Sequence, residues 1–331
     1  MSTTAFVLLA VMVTAYVLLD GYDLGTAAIT PLIARTSEER AASMESIGPF
    51  WNGNEVWLIA AGASLFALFP QAYASSFSGF YLPFMVVLWL LMFRGIALEL
   101  RSHFVSEMWH GFWDFCFAAS STLLILLFGI ALGNIVRGLP LDANGYFLGT
   151  FGFLLNPYAL GVGALAVAAV AQHGATWVRL RIDGPPAQRS RTLIGMLWWI
   201  VLALYVATSA ATIAQRWSLP AHGVHAWLAF MPVVSLATLI ALRVANARGH
   251  AGRAFAASSI FLASLLVVSA GTMYPYILPG YPAQRSGLSI TDAAPSAVAL
   301  ATTLAVVIVG LCVVVAYTVL VTRRMMRKIT V

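Results

Sequence analysis

Charge is what this sequence has least of. Of its 331 residues only 9% are Asp, Glu, Lys or Arg, against roughly 25% in a soluble domain, so a free-standing water-soluble fold is excluded. Cysteine is nearly absent. Cys116 and Cys312 stand alone inside apolar stretches, which offers neither a metal-ligand spacing nor a disulfide framework. The six histidines are scattered, and His173 alone falls toward the interior of an apolar run. There is no Walker loop, no Gly-rich dinucleotide fingerprint and no zincin pair, so nucleotide or zinc hydrolysis has no footing. Long polar connections are missing too, which leaves no room for a soluble domain.

What is present is apolar. The composition is 61% hydrophobic, with a mean hydropathy of +0.88. The apolar runs lie near residues 5–28, 53–72, 76–99, 113–136, 153–176, 192–214, 223–244, 254–276 and 295–322. Each is long enough to cross a hydrocarbon core of about 30 Å. The expected architecture is an all-α polytopic membrane protein of about nine spans, forming a single integral membrane domain over 1–331. The first run begins almost at Met1 without a basic leader region or a small-residue cleavage site, so it is expected to be a retained span.

The basic residues predict the orientation. Fifteen of the eighteen Lys and Arg residues fall in or beside alternate loops and the C-terminal tail, while Arg137, Arg216 and Arg285 lie on the opposite side. Short loops rich in Lys and Arg face the cytoplasm, so the N-terminus is expected outside and the C-terminus inside. The net charge of +6, which in a soluble protein would suggest nucleic acid, is therefore a topology signal, and no nucleic-acid partner is expected.

Against this background the few ionisable groups stand out. Asp20 and Asp23 lie three apart in the first run, on one face of a helix. A carboxylate in hydrocarbon costs roughly 2.5–3.5 kcal/mol on insertion scales and usually faces a bundle interior; an ordinary helix end near the headgroups is the plainer alternative. The second run opens Trp51-Asn52-Gly53-Asn54-Glu55, where Asn52 and Glu55 have the spacing of a capping-box variant. Pro83 is expected to kink the third run. That run ends on Arg94 and Glu99, Arg94 being able to snorkel or to neutralise Asp23 or Glu99. Asp114 opens the fourth. Asp20, Asp23, Asn52, Glu55, Arg94, Glu99 and Asp114 are thus expected at similar depth on the cytoplasmic side, and a clustered ionisable set reads as a proton or ion entry path. The later runs are poorer in such groups. His222 and His225 belong to an outer loop. His173 is read as a hydrogen-bonded packing residue more readily than as an axial haem ligand.

The motifs taken together resemble subunit II of the cytochrome bd-type quinol oxidases. They are DGYDLG at 20–25, WNGNEVWL at 51–58, FSGFYLP at 77–83, FRGIALELRS at 93–102, LNPYAL at 155–160, QHGATW at 172–177 and MYPYILP at 273–279. The resemblance implies two four-helix bundles plus a peripheral helix, in a complex of the bacterial cytoplasmic membrane. That complex oxidises quinol and reduces dioxygen to water with cytoplasmic protons. It places haems b and d in the partner, subunit I, and no catalytic group in this chain. Subunit II helps form a hydrophilic channel with subunit I; in some members it holds a quinone or lipid in place of haem. A small single-helix accessory subunit is a further partner that the resemblance leaves open. Asp23, Arg94 and Asp114 fall in the family's channel motifs. Asn52 departs from them, since many members have an aspartate there; an amide relays through water but does not release a proton. Glu55 stands about one turn on as a substitute, and the route could run instead through subunit I. Two other readings stay open: a secondary transporter using Asp20, Asp23 and Arg94, and a purely structural membrane subunit.

Overall fold

The computed structural model describes residues 1–216, 230–282 and 287–330. His222, His225, Arg285, the side chain of Arg216 and the start of the seventh expected span lie outside them. The chain begins with α1 (Ser2–Ile33), α2 (Ser37–Ile47), α3 (Trp51–Leu68), α4 (Pro70–Gly79) and α5 (Tyr81–Leu100). A 3-10 turn (Arg101–His103) leads to α6 (Glu107–Arg137), the short α7 (Phe151–Leu154), α8 (Pro157–Arg181) and β1 (Ile182–Asp183). Next come α9 (Pro185–Arg216), α10 (Met231–Ala247), α11 (Ala251–Met273), β2 (Tyr276–Leu278) and β3 (Leu288–Ser289), then α12 (Ala297–Met325) and β4 (Ile329–Thr330). Seven helices (α1, α5 with its 3-10 turn, α6, α8, α9, α11 and α12) are long and apolar enough to cross a membrane. The 17-residue α10 is apolar but shorter, and the 18-residue α3 carries Asn52, Asn54 and Glu55.

The helices form two groups of four, α1/α3/α5/α6 and α8/α9/α10/α11, joined where α1 and α6 pack on α8; α12 packs mainly along α3. The α1–α8 contact is backbone on backbone. A Cβ on Gly174 would lie 2.2 Å from the Gly25 carbonyl carbon, and one on Gly25 would lie 2.1 Å from the Val170 oxygen. Small residues let membrane helices approach this closely, so a glycine from each of two motifs, at 20–25 and 172–177, makes one crossing.

Local chemistry sets the breaks. The expected span over 53–72 ends at Phe69, and Pro70 opens α4 at a first-turn position where its missing N–H is no loss. The expected kink at Pro83 is corrected likewise: the break falls at Phe80, and Pro83 sits in the first turn of α5. The fourth helix starts at Glu107 rather than near 113, capped by Ser106, whose Oγ accepts from the Trp109 N–H. At one end of the molecule β2 pairs antiparallel with β3 over a second core that includes Leu68, Phe69, Phe80, Leu139 and Leu278. At the other, β1 pairs parallel with β4, Arg181 donates to the Arg327 carbonyl, and Lys328 Nζ lies 2.7 Å from Asp183. These contacts tie the tail after α12 to the end of α8.

Between α1 and α3, α2 is locked by a capping box: Thr36 Oγ1 accepts from the Glu39 N–H, and Glu39 Oε2 accepts from the Arg35 and Thr36 N–H groups. Arg189 of α9 donates to the same carboxylate at 2.7 Å. The hydrogen bond from Arg189, with those from Arg35 and Thr36, holds the Glu39 carboxyl below the usual glutamate range. A carboxyl lowered in the folded state stabilises it above the unfolded pKa of about 4.3, and that stabilisation is lost as pH falls through the folded value. Glu39→Gln is therefore expected to lower the melting temperature at neutral pH and to shrink its decline in acid. Thermal unfolding of the two proteins across pH checks this, and parallel curves would refute it.

Candidate functional site

The site is built where α1, α3 and α5 meet. Asp20 and Asp23 project from α1 into the bundle, and Arg94 reaches them from α5; all three are fully buried. Arg94 grips Asp20 with both nitrogens, Nη2 at 2.5 Å from Oδ1 and Nη1 at 3.0 Å from Oδ2. This is the fork geometry that suits a guanidinium to a carboxylate. Nη2 also lies 3.8 Å from Asp23, and Nη1 lies 3.4 Å from Glu55 of α3, whose side chain keeps 23% of its exposure. Asn54 completes the cluster. Its Nδ2 donates toward Asp23 at 2.7 Å and sits 2.9 Å from the Tyr22 hydroxyl and 3.2 Å from the Leu19 carbonyl. Tyr22 is held by stacking on Trp177 of α8, ring centroids 4.0 Å apart.

Charge counting shows what this arrangement can do. Three carboxylates share one guanidinium, so full ionisation leaves two uncompensated negative charges in a low-dielectric interior. Such an excess is too costly to persist, and a bound proton relieves it. The cluster is thus short of positive charge whenever all three carboxylates are ionised. The Tyr16 hydroxyl is buried beside Asp20, and Asp23 Oδ1, Thr26 Oγ1 and Arg94 Nε find no hydrogen-bond partner among the described residues. Native proteins satisfy such atoms with water or a neighbouring chain.

Of the seven residues singled out in the sequence, four come together: Asp20, Asp23, Glu55 and Arg94. Asp114 is elsewhere. It accepts from Arg101 Nε at 2.5 Å and pairs with Arg40 at 3.4 Å, a second cluster that fastens α2 and the 3-10 turn to α6. Asn52 and Glu99 are exposed on the helix surfaces, so Arg94 neutralises Asp20, with Asp23 and Glu55 beside it, and not Glu99. The capping role considered for Asn52 is also corrected: Phe50 occupies the N-cap of α3, and no side chain caps it. Sequence reasoning missed Asn54, Tyr22 and Tyr16. Asn54 carried a signal, since it is three residues from Trp57 and both are buried on one face of α3.

His173 is fully buried on α8, stacked on Phe255 at 4.9 Å. Its Nε2 lies 3.1 Å from the Leu18 carbonyl, which can only accept, and its Nδ1 lies 2.9 Å from Ser258 Oγ. The imidazole is thereby fixed as the Nε2–H tautomer, both nitrogens are engaged, and neither is free for a haem iron. Among the described residues no cluster of three His, Cys, Asp or Glu side chains could hold a metal ion. A cavity of about 420 Å³ lies between α1, α6, α8, α9, α10 and α11. Its walls are mostly apolar, with hydroxyls at Tyr158, Ser209 and Ser269, and Tyr16 lines it as well.

Comparison with known proteins follows the same lines. A family profile described as cytochrome bd terminal oxidase subunit II matches residues 1–325. The chain is 30% identical to a probable cytochrome oxidase subunit 2 of Haemophilus influenzae, over 95% of this chain and 91% of that one. It is 29% identical to the cytochrome bd-I ubiquinol oxidase subunit 2 of Escherichia coli K12, over 89% of this chain and 86% of that one. In fold it is similar to a chain of the bd oxidase of Geobacillus thermodenitrificans, with a TM-score of 0.79, 19% identity and 97% of each chain covered.

Proposed function

The chain belongs to the cytochrome bd terminal oxidase subunit II family, and from that premise we propose that its buried Arg94 cluster carries protons toward the oxygen-reducing partner of a membrane quinol oxidase. As a multi-pass membrane subunit of that oxidoreductase, it packs against the haem-bearing subunit I with its N-terminus outside and its C-terminus cytoplasmic. A single observation carries the reading: three carboxylates around one buried guanidinium, with Glu55 alone part-exposed. Glu55 then links the sealed pair of aspartates to the surface of α3 and α5, where Asn52 and Glu99 are also exposed.

The family places the haems in subunit I, and His173 is not open to one, because both of its nitrogens are already bonded. Haem supplies the oxygen chemistry there; this chain binds the partner and holds protons at Asp23 and Glu55, beside the Arg94–Asp20 pair. A transporter reading loses ground on the same geometry. A site for an anionic substrate needs a free cation, and Arg94 is gripped at both nitrogens by Asp20. The mostly apolar cavity, with hydroxyl-bearing residues among its walls, favours a second, structural role, holding the ring and tail of a quinone or a lipid.

The test is Asp23→Asn in the intact complex. The amide keeps the shape and the contact with Asn54 but takes up no proton, so quinol-driven oxygen uptake is expected to fall at least tenfold, about 1.4 kcal/mol on the barrier. The visible haem bands should stay unchanged. Full turnover with normal haem bands would end the proton role of Asp23, and a complex without haem would sink the oxidase reading itself.

A further inference from the structure

Of the twelve carboxylate residues in the chain, only Asp183 and Asp292 follow Asp142. Asp183 is paired with Lys328, and Asp292 is hydrogen-bonded to Ser289 at the β2–β3 end of the molecule. The opposite end of the second four-helix group carries Arg179, Arg191, Arg243, Arg248 and Arg253, none in an ion pair among the described residues. Two of them converge on the end of α10, and a third, Arg243, lies along the α9–α10 seam. Arg179 donates to the Asn246 side chain and lies 3.3 Å from its carbonyl, and Arg191 Nη2 donates to the Ala247 carbonyl at 2.6 Å. Arg243 reaches back to the Gly195 carbonyl at 3.3 Å, its guanidinium 4.8 and 5.2 Å from the rings of Trp198 and Trp199. Arg179 and Arg191 are close enough to repel each other.

The last carbonyls of α10 offer only about half an elementary charge against the two full positive ones of Arg179 and Arg191, with Arg243 of α10 at the Gly195 carbonyl of α9. The remaining excess calls for an anion. Directly beneath, Met196 and Trp199 of α9 and Ile240 and Val244 of α10 are exposed by 63%, 60%, 48% and 41%, an apolar strip running from the guanidinium groups along the helices. A charged cap over an apolar strip matches one ligand class.

We propose that the α9–α10 groove binds an anionic phospholipid, its phosphate on Arg191 and Arg243 and its acyl chains along Met196, Trp199, Ile240 and Val244. The site is separate from the Arg94 cluster and independent of the proton role. Orienting segments by positive charge requires no specific binding, so selective retention of one lipid class is the discriminating readout.

The delipidated intact complex is titrated with phosphatidylglycerol or phosphatidylcholine and read by native mass spectrometry. Phosphatidylglycerol is expected to be retained preferentially. Arg191→Gln with Arg243→Gln should weaken retention about fivefold for each charge removed, while the double Lys variant, which keeps the charge and controls for folding, should retain it. Equal retention of both lipids, or unchanged retention in the Gln variant, would overturn the proposal. Displacement of the lipid by inorganic phosphate would overturn it as well, since the site would then be one for free anions.

Discussion

Gly174→Val is expected to prevent stable assembly of the chain, and Gly174→Ala to lower its thermal stability measurably. The reason is geometric. A Cβ at this position meets the backbone of Gly25 and Thr26 at 2.2 Å, and backbone atoms cannot rotate aside as a flexible side chain can. Helices α1 and α8 must move apart. Overpacking of an interior costs about 1–3 kcal/mol even where side chains can adjust, and here the strain also loosens contacts built on the same two helices. Tyr22 leaves its stack on Trp177, His173 loses its bond to the Leu18 carbonyl, and Asp20 and Asp23 shift away from Arg94. Gly62→Ala and Gly310→Ala are the controls. A Cβ at either meets nothing within 4 Å, so both should change stability by no more than about 0.5 kcal/mol. Thermal melting of the purified complex, followed by size-exclusion chromatography, compares the four variants. Equal melting temperatures for Gly174→Ala and Gly62→Ala would show that the crossing is looser than its backbone contacts require.

Position along the helices was legible in this sequence, and lateral position was not. Hydrocarbon thickness fixes the length of apolar runs, so the expected spans correspond to helices, or to pairs of short ones, apart from the start of the seventh, which lies outside the described residues. Ionisable residues are rare enough within such runs that Asp20, Asp23 and Arg94 drew attention at once. Asp114 shares their expected end of the bundle, yet it pairs with Arg40 and Arg101 in a cluster of its own. Run lengths hold no information on which neighbour a helix end faces. Rotation about the helix axis was the other missing quantity. In α3 the amides Asn52 and Asn54 are two residues apart, so when one points inward the other is turned well away. The family pattern favoured Asn52, whereas the burial of Asn54 with Trp57 selects the other face. The break at Phe80 escaped notice for a related reason: Pro83 marks a helix start as readily as a kink, and only packing tells the two apart.

Arg94 is the residue on which the cluster's electrostatics depend, and Arg94→Met should be the most damaging single change within it. Removing one partner of a buried ion pair costs about 3–5 kcal/mol, because the other charge is left uncompensated. Here one substitution orphans Asp20, Asp23 and Glu55 together. Arg94→Lys is no remedy, since an ammonium cannot reproduce the two-point grip on Asp20. The informative experiment is the double variant. Replacing a buried ion pair by apolar groups of similar volume is often neutral or better, so Asp20→Leu is expected to recover much of the stability lost in Arg94→Met. Recovery of stability without recovery of oxygen uptake would separate the role of holding α1 to α5 from the proposed role of holding protons. Failure to recover either would place the burden on Asp23 and Glu55, the two carboxylates still without a counter-charge. Recovery of both would remove Asp20 and Arg94 from any proton route and leave Asp23, Asn54 and Glu55 as the path to be tested next.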